Sequence, residues 1–121
     1  MVAKEEKIGS SKMVRALAFW HGVTATALKK MPIDLSARQQ AVLLQIYLLP
    51  APHSVKSLAD TLAISKPAIC RALDALEGAK LVKRQRDKSD KRNVYVQRTV
   101  KGSVYLSEFA DIIMTQSKEA A

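Results

Sequence analysis

The sequence predicts a single domain of the α+β class, from its length and from the spacing of its apolar residues. The chain has 121 residues, which is the size of one domain. Apolar residues recur at helical spacing up to residue 76, alternate as in two β-strands over residues 81–99, and then return to helical spacing. Hydrophobic residues make up 48% of the chain and aromatic residues only 5%, so we expect an aliphatic core.

The first predicted helix covers residues 11–30 and follows a polar stretch, residues 1–10, that is predicted to be disordered. Ser10 or Ser11 is its N-cap, and Pro32 stops it. Its apolar residues, Leu17 and Trp20 among them, cover a wider face than a small monomer usually buries. We therefore expect this helix and the last helix, over residues 100–117, to be dimerisation helices.

Three more helices are predicted before the strands. Residues 36–39 have a capping-box sequence and begin the second helix. A third helix is predicted over residues 55–62 and a fourth over residues 66–76, with Ser65 as N-cap and Pro67 in the first turn. Because only three residues separate the third and fourth helices, they are predicted to form a helix-turn-helix.

Positive charge is concentrated in the region of the predicted strands. The chain has a net charge of +9, and residues 80–101 contain nine Lys or Arg and two Asp, a net +7. The strands are predicted at residues 81–86 and 93–99, with a charged turn between them. Charge alone leaves two interpretations open, a surface for nucleic acid and a solvated basic hairpin. The order helix, turn, helix, basic hairpin, helix favours the first, because it is the order of a winged helix-turn-helix.

Other classes of protein find less support in the sequence. The longest nearly uninterrupted apolar run, residues 41–49, is far shorter than the about 20 residues of a membrane span, so no membrane partner is predicted. The N-terminus lacks the apolar region of a secretory signal, and Cys70 is the single cysteine, so a cytoplasmic location is expected. His21 and His53 are far apart in the sequence, and no cysteine or acid cluster accompanies them, so each is expected to be a surface or interface residue rather than a metal ligand. No catalytic residue, metal site or cofactor is predicted, and we expect the protein not to be an enzyme.

Two motifs follow the fourth helix. Residues 87–92 are Asp-Lys-Ser-Asp-Lys-Arg, and residues 99–102, after an alternating strand, are Thr-Val-Lys-Gly. Together with Leu-Val-Lys-Arg at 81–84 and Ser-Lys-Pro-Ala-Ile-Cys-Arg at 65–71, they resemble the MarR family of bacterial transcription regulators, whose wing pattern is D-x-R-D-x-R, then a strand, then T-x-x-G. The resemblance covers roughly residues 36–113.

The sequence departs from that family at three points. Ser89 stands where the family often has Arg. Lys80 stands where the family usually has a Gly that ends the recognition helix, so either the helix stops early near Gly78 or Lys80 takes a left-handed conformation. One helix follows the wing, whereas the family usually has a further helix for dimerisation.

The resemblance implies a homodimer that binds a palindromic operator in double-stranded DNA, acts as a repressor, and responds to a small-molecule effector. The alternative is a winged helix that binds another protein without sequence-specific DNA binding. The DNA-binding lobe is expected at residues 54–99. Its predicted DNA-binding residues are Ser65, Lys66, Pro67, Ala68, Cys70, Arg71, Arg84, Arg86, Lys88, Asp90, Lys91 and Arg92. A ligand pocket is expected near Trp20, His21, Tyr47 and Tyr105.

Single residues in this set have different expected roles. Arg71 is the candidate for a base contact, since a guanidinium can bind guanine O6 and N7 together, with a phosphate contact as the alternative. By resemblance Arg92 enters the minor groove, and Asp90 either orients an arginine or only forms the turn. Cys70 is either a redox switch or a small half-buried residue.

Overall fold

The computed structural model describes residues 10–120 and confirms the α+β class. The helices are α1 (Ser11–Lys30), α2 (Ala37–Leu48), α3 (Val55–Leu62), α4 (Lys66–Gly78) and α5 (Val100–Ala120), and the strands are β1 (His53–Ser54), β2 (Val82–Arg86) and β3 (Val94–Arg98). Residues 1–9, where disorder is predicted, lie outside the described residues. None of the five helices is long and apolar enough to cross a membrane.

The chain divides into two compact units. The terminal-helix unit contains residues 10–34 and 107–120, and the winged unit contains residues 35–106. Helix α5 begins in the winged unit and ends in the terminal-helix unit.

The two helices of the terminal-helix unit bury some apolar residues and expose others. Val23 of α1 is fully buried, and Ile112 of α5 is 9% exposed. Gly22 permits close packing here, because a Cβ at this position would overlap the side chain of Gln116. The large apolar residues that stay exposed are Met13, Val14, Leu17, Trp20 and Leu28 of α1 and Ile113 and Met114 of α5.

Serine side chains begin the first four helices at the predicted places. In each case the Oγ accepts a hydrogen bond from the backbone N–H three residues further on, which satisfies a donor that the helix itself leaves free. These serines are Ser10, Ser36, Ser54 and Ser65. At Ser36 and Ser54 the side chain three residues on returns a hydrogen bond to the serine N–H, which completes a capping box.

Helices α3 and α4 form the predicted helix-turn-helix. Helix α3 ends at Leu62, and the left-handed conformation of the next residue, Ala63, with φ of 54°, turns the chain. Helix α4 runs to Gly78, two residues beyond its predicted end. The inner faces of both helices pack into the core of the winged unit, where Leu58 of α3 and Leu73 of α4 are completely buried.

A three-stranded antiparallel sheet completes the winged unit, in the order β1-β3-β2. Strands β2 and β3 pair from Val82 opposite Arg98 to Arg86 opposite Val94. The hairpin of β2, β3 and the turn between them, residues 82–98, is called the wing below.

Strand β1 was not predicted. It is only two residues long, and one of them, His53, is 4% exposed with its Nε2 3.1 Å from the carbonyl oxygen of Leu49. The expectation of a surface or interface histidine at this position is therefore wrong.

Lys80, which stands where a glycine is usual, lies in the link between α4 and β2. Both expected results occur there, the early end of the helix and the left-handed residue. Helix α4 ends at Gly78, and Lys80 takes a left-handed conformation with φ of 65°. Its backbone N–H donates to the carbonyl of Glu77 at 2.9 Å, and the N–H of Leu81 donates to the carbonyl of Leu76 at 2.9 Å. These bonds close the helix and offset the about 1 kcal/mol that a side chain loses in this conformation.

Tyr47 of α2 holds both ends of the wing. Its hydroxyl donates to the carbonyl of Leu81 at 2.7 Å and accepts from the backbone N–H of Thr99 at 2.9 Å. Leu81 lies directly before β2, and Thr99 lies directly after β3. One oxygen atom therefore fixes the start and the end of the wing on α2.

The Thr-x-x-Gly motif serves this same junction. Thr99 Oγ1 accepts from the N–H of Gly102 at 2.9 Å, as an N-cap of α5 should, and donates to the carbonyl of Lys80 at 2.8 Å. Gly102 is buried, and a Cβ there would overlap the hydroxyl of Tyr47 and the carbonyl of Leu81. Its φ is not positive, so close approach rather than backbone conformation requires glycine.

Replacement of Gly102 by alanine should destabilise the winged unit, although alanine is the better helix former. We expect Gly102→Ala to lower the free energy of unfolding by about 1–3 kcal/mol, the usual cost of overpacking. Gly78→Ala is the matched control, because nothing lies within 4 Å of its Cβ position. It should raise the free energy of unfolding by about 0.5–1 kcal/mol. Urea denaturation of both variants measures the difference, and two changes of the same sign would contradict this account of Gly102.

Candidate nucleic-acid interface

The outer face of α4 carries most of the residues predicted there. Ser65, Lys66, Pro67 and Arg71 are exposed, and Cys70 is half-buried. The prediction that Ala68 faces outward is wrong, because this residue is only 5% exposed and packs into the winged unit. The helical period explains this, since Ala68 lies four residues before Ala72, another buried residue of α4.

Arg71 shares an open groove with a residue that the sequence analysis did not select. The groove has a volume of about 460 Å³ and lies between the first turn of α2 and the middle of α4. Arg38 of α2 and Arg71 of α4 both line it, and both are exposed. Arg38 belongs to the capping-box sequence of α2 and was considered only as part of a helix start. The spacing of residues in the chain gives no signal that it lies beside Arg71.

The tip of the wing is organised by its two aspartates. Asp87 Oδ1 accepts from the backbone N–H of Ser89 at 2.9 Å and from its hydroxyl at 2.8 Å. These two hydrogen bonds, the backbone one first, lower the pKa of Asp87. Ser89, which replaces the family's arginine, therefore stabilises the turn through its hydroxyl.

Asp90 holds the arginine two residues after it. Its carboxylate accepts from Arg92 Nε at 3.1 Å, from Arg92 Nη2 at 3.2 Å and from the Arg92 backbone N–H at 3.1 Å. The side-chain bond and then the backbone bond lower the pKa of Asp90. The side chain of Arg92 remains 90% exposed. The geometry thus combines the two roles considered for Asp90, a turn-former and a partner that limits the directions in which Arg92 points.

Arg84 of β2 does not have the environment expected of a phosphate contact. Its Nε donates to Glu77 Oε1 at 2.8 Å, and its Nη2 donates to Asp74 Oδ1 at 2.6 Å. Its backbone N–H also donates to Glu77 Oε2 at 3.1 Å, and this bond, followed by the side-chain bond, lowers the pKa of Glu77. The sequence alone predicts Asp74 and Glu77 to be helix-surface charges, and Asp74 is 64% exposed, but both carboxylates bind Arg84. Three residues apart on α4, they form one acidic site for this arginine.

The second arginine of β2 is also engaged within the wing. Arg86 Nη1 donates to the carbonyl of Lys91 at 2.8 Å, across the base of the turn. The side chain remains exposed, so part of the guanidinium still faces solvent. The role of Arg86 in DNA binding stays a prediction.

Several cations of the recognition helix and the wing form no ion pair with the residues that the structure describes. Between residues 10 and 120, no ion pair is formed by Lys66, Arg71, Lys88 or Lys91. Asp74 and Glu77 of α4 are, by contrast, bound to Arg84. Asp90 at the wing tip is bound to Arg92, while Asp87 is hydrogen-bonded to Ser89. Most of the negative charge on the recognition helix and the wing is therefore paired and the unpaired charge is mainly positive, which suits a polyanion.

The residues expected to line a ligand pocket have separate environments. In the winged unit, the hydroxyl of Tyr47 is occupied at the wing junction, and Tyr105 is 5% exposed. In the terminal-helix unit, Trp20 is 52% exposed and His21 is exposed. A cavity of about 560 Å³ in that unit is lined by other side chains, including Lys29, Lys30, Glu108 and Asp111. Within the described part of the chain, no three His, Cys, Asp or Glu residues are grouped as a metal site.

Known proteins that resemble this chain are DNA-binding regulators of the MarR family and proteins of similar fold. Residues 35–94 match the sequence model of the MarR family. The chain is similar to the transcriptional repressor CouR bound to a 23-mer DNA duplex, with a TM-score of 0.69 and 28% identity over 95% of this chain and 78% of that chain. It is similar in fold to a mutant of S. aureus MepR bound to an oligodeoxyribonucleotide, with a TM-score of 0.76 and 20% identity over 90% and 79% of the two chains. YusO from Bacillus subtilis gives a TM-score of 0.78 and 16% identity over 97% and 80%.

Proposed function

The chain belongs to the MarR family of DNA-binding transcription regulators, and we propose that it is a repressor that binds a palindromic operator as a homodimer. The observation that carries the proposal is the arrangement of charge in the winged unit. Free cations lie on α4 and on the wing, whereas three of the acids beside them, Asp74, Glu77 and Asp90, are paired with arginines. The similarity to CouR, a repressor bound to duplex DNA, supports the same activity.

In this proposal, α4 lies in the major groove and Arg71 contacts base edges. Arg71 is exposed and forms no ion pair with a described residue, so its guanidinium is available to a guanine. Arg38, across the groove from it, binds a phosphate of the same DNA segment. Ser65 and Lys66 lie at the start of α4, where a phosphate is favoured by the helix dipole.

The wing contacts the DNA beside the major-groove site. Lys88 and Lys91 are exposed at its tip and bind phosphates. Arg92 enters the minor groove, and Asp90 limits the orientation of its guanidinium. Arg84 is left out of this set, because its guanidinium is bound by two carboxylates.

The homodimer is proposed from the exposed apolar residues of the terminal-helix unit. Val14, Leu17 and Leu28 recur at intervals of three and eleven residues and so share one face of α1, opposite the buried Val23. Several large apolar side chains exposed on one helix face favour an interaction site there. Two recognition helices in the dimer would contact half-sites about one helical turn of DNA apart.

Three further parts of the proposal follow from the assignment to this family. The activity is binding and not catalysis. The protein acts in the cytoplasm, where bacterial DNA lies. A small ligand controls its affinity for DNA, and the side chains that bind this ligand stay unassigned.

Selection of bound fragments from a random DNA library, followed by sequencing, tests the proposed function. We expect a palindromic consensus whose half-sites are about 10 base pairs apart, centre to centre. A consensus without symmetry would contradict the dimer. Absence of any enriched sequence would favour the alternative, a winged helix that binds another protein.

Base contacts and phosphate contacts should respond differently to mutation. Arg71→Ala should weaken binding to the best site by about 1–3 kcal/mol and binding to random DNA much less, because only a base contact distinguishes the two. Lys88→Ala should weaken both and should lower the slope of log K against log salt by about 0.9. Titrations of each variant with specific and scrambled duplexes at several salt concentrations measure both quantities. Equal losses for Arg71→Ala on the two duplexes would make it a phosphate contact.

A carboxylate in the exposed apolar face of α1 should dissociate the dimer. Leu17→Glu should raise the dimer dissociation constant at least about tenfold, because burial of an unpaired charge costs several kcal/mol. Lys12→Glu is the control, because it places the same group at an exposed position on the other side of α1. Sedimentation equilibrium measures the constants. A folded monomer of the unmodified chain at micromolar concentration would contradict the proposed interface.

A further inference from the structure

Arg84 joins the wing to the recognition helix through three hydrogen bonds. Its guanidinium bridges the two carboxylates of α4, at 2.8 Å to Glu77 and 2.6 Å to Asp74, and its backbone N–H adds a bond to Glu77 at 3.1 Å. The side chain of Arg84 is 28% exposed and that of Glu77 is 35% exposed, so their contact is partly shielded from water, whereas Asp74 is 64% exposed. Such charge-assisted bonds are about twice as strong as neutral ones.

The position of this contact makes it a link between two DNA-binding elements. Glu77 lies in the last turn of α4, and Arg84 is the central residue of β2, opposite Val96 of β3. The backbone between α4 and β2 is short and includes the left-handed Lys80. A movement of the wing relative to α4 would therefore have to break the bonds of Arg84.

Asp74 gives the contact a second consequence. It lies three residues after Arg71 on α4, so the two side chains are neighbours on the helix surface and could form an ion pair. In the structure the carboxylate of Asp74 binds Arg84 instead, and Arg71 has no ion pair with a described residue. Arg84 therefore neutralises an acid that would otherwise compete with DNA for Arg71.

We infer that Arg84 is a positioning residue, which rests on the proposed function: bound to Glu77 and Asp74, it fixes the wing relative to α4 and leaves Arg71 free. The contacts of α4 in the major groove and of the wing beside it are then made in one fixed register. Arg84 itself binds no phosphate. Arg84 therefore supports DNA binding through its bonds to Glu77 and Asp74 and not through a contact with DNA.

The change in operator affinity caused by Glu77→Gln has opposite signs for the two possible roles of Arg84, a phosphate contact and a positioning contact. If Arg84 bound a phosphate, Glu77→Gln would remove a nearby negative charge and would leave operator affinity unchanged or higher. As a positioning contact, Glu77→Gln should weaken operator binding, by about threefold to tenfold for one charged hydrogen bond lost at a partly exposed site. Arg84→Met should weaken it at least as much. The double variant should be no weaker than Arg84→Met, because the two residues share one interaction.

Hydroxyl-radical footprinting of the selected operator shows which contacts are lost. The positioning role predicts that Glu77→Gln loses protection where the wing lies and keeps protection where α4 lies, because Arg84 still binds Asp74 in this variant. Arg84→Met should lose the same wing protection and, because it releases Asp74, should also weaken the contact of Arg71. General destabilisation of the fold would weaken both segments together in Glu77→Gln, and that outcome would overturn the inference. Additive losses in the double variant, or increased affinity of Glu77→Gln, would overturn it as well.

Arg84→Lys keeps the inference testable if Arg84→Met does not fold. Lysine retains the charge and binds phosphates well, but a single ammonium group cannot reproduce the fork that spans two carboxylates. Wing protection should therefore be lost in Arg84→Lys, and its retention would overturn the positioning role. An operator that the unmodified chain does not protect would overturn the proposed function and this inference together. Normal protection by the unmodified chain, with wing protection intact in all three variants, would overturn the inference alone.

Discussion

The geometry of the winged unit depends on the hydroxyl group of Tyr47. The carbonyl of Leu81 and the N–H of Thr99 lie at the two points where the chain enters and leaves the wing, and neither group has a strand partner there. A polar backbone group left unpaired in a part-buried site is costly, so one phenolic oxygen that serves both stabilises the whole hairpin. The requirement reaches Gly102, where any Cβ would occupy the position of this oxygen. The Thr-x-x-Gly motif is thus explained by packing around a tyrosine 52 residues earlier in the chain.

The arginines show why a count of charges overestimates the surface offered to DNA. Residues 80–101 have a net charge of +7, yet three of their arginines are used inside the unit. Arg84 binds two carboxylates, Arg86 binds a carbonyl across the turn, and Arg98 donates to the carbonyls of Ile46 and Leu49 at the end of α2. Arginine suits these positions because its planar fork makes several directed bonds at once. The lysines at the wing tip lack such partners among the described residues and remain available to phosphates.

Sequence reasoning succeeded where the signal is local and failed where it is not. The serine caps, the helix-turn-helix and the alternating strands depend on residues within a few positions of one another, and the structure confirms them. Strand β1 forms only by pairing with β3, more than 40 positions away, and its two residues are too few to show the alternation of a strand. The bonds of Arg84 depend on how β2 returns along α4, so the sequence contains no signal that Glu77 and Asp74 bind this arginine. Lys80 was recognised as an anomaly because a glycine was expected, but only the fold shows that early termination and a left-handed residue coexist.

Two arginine–carboxylate contacts in the same wing differ in what they do because they differ in exposure. Arg92 and Asp90 lie at the tip, with the arginine 90% exposed, so water and salt screen their attraction and it adds little to stability. What the pair supplies is direction, because a guanidinium held by two carboxylate oxygens has fewer conformations to lose when it enters a groove. Arg84 and Glu77 are partly shielded and, with Asp74, span two elements of the fold, so their bonds restrain the position of a whole hairpin. The same chemistry therefore orients one side chain at the tip of the wing and the entire wing at its base.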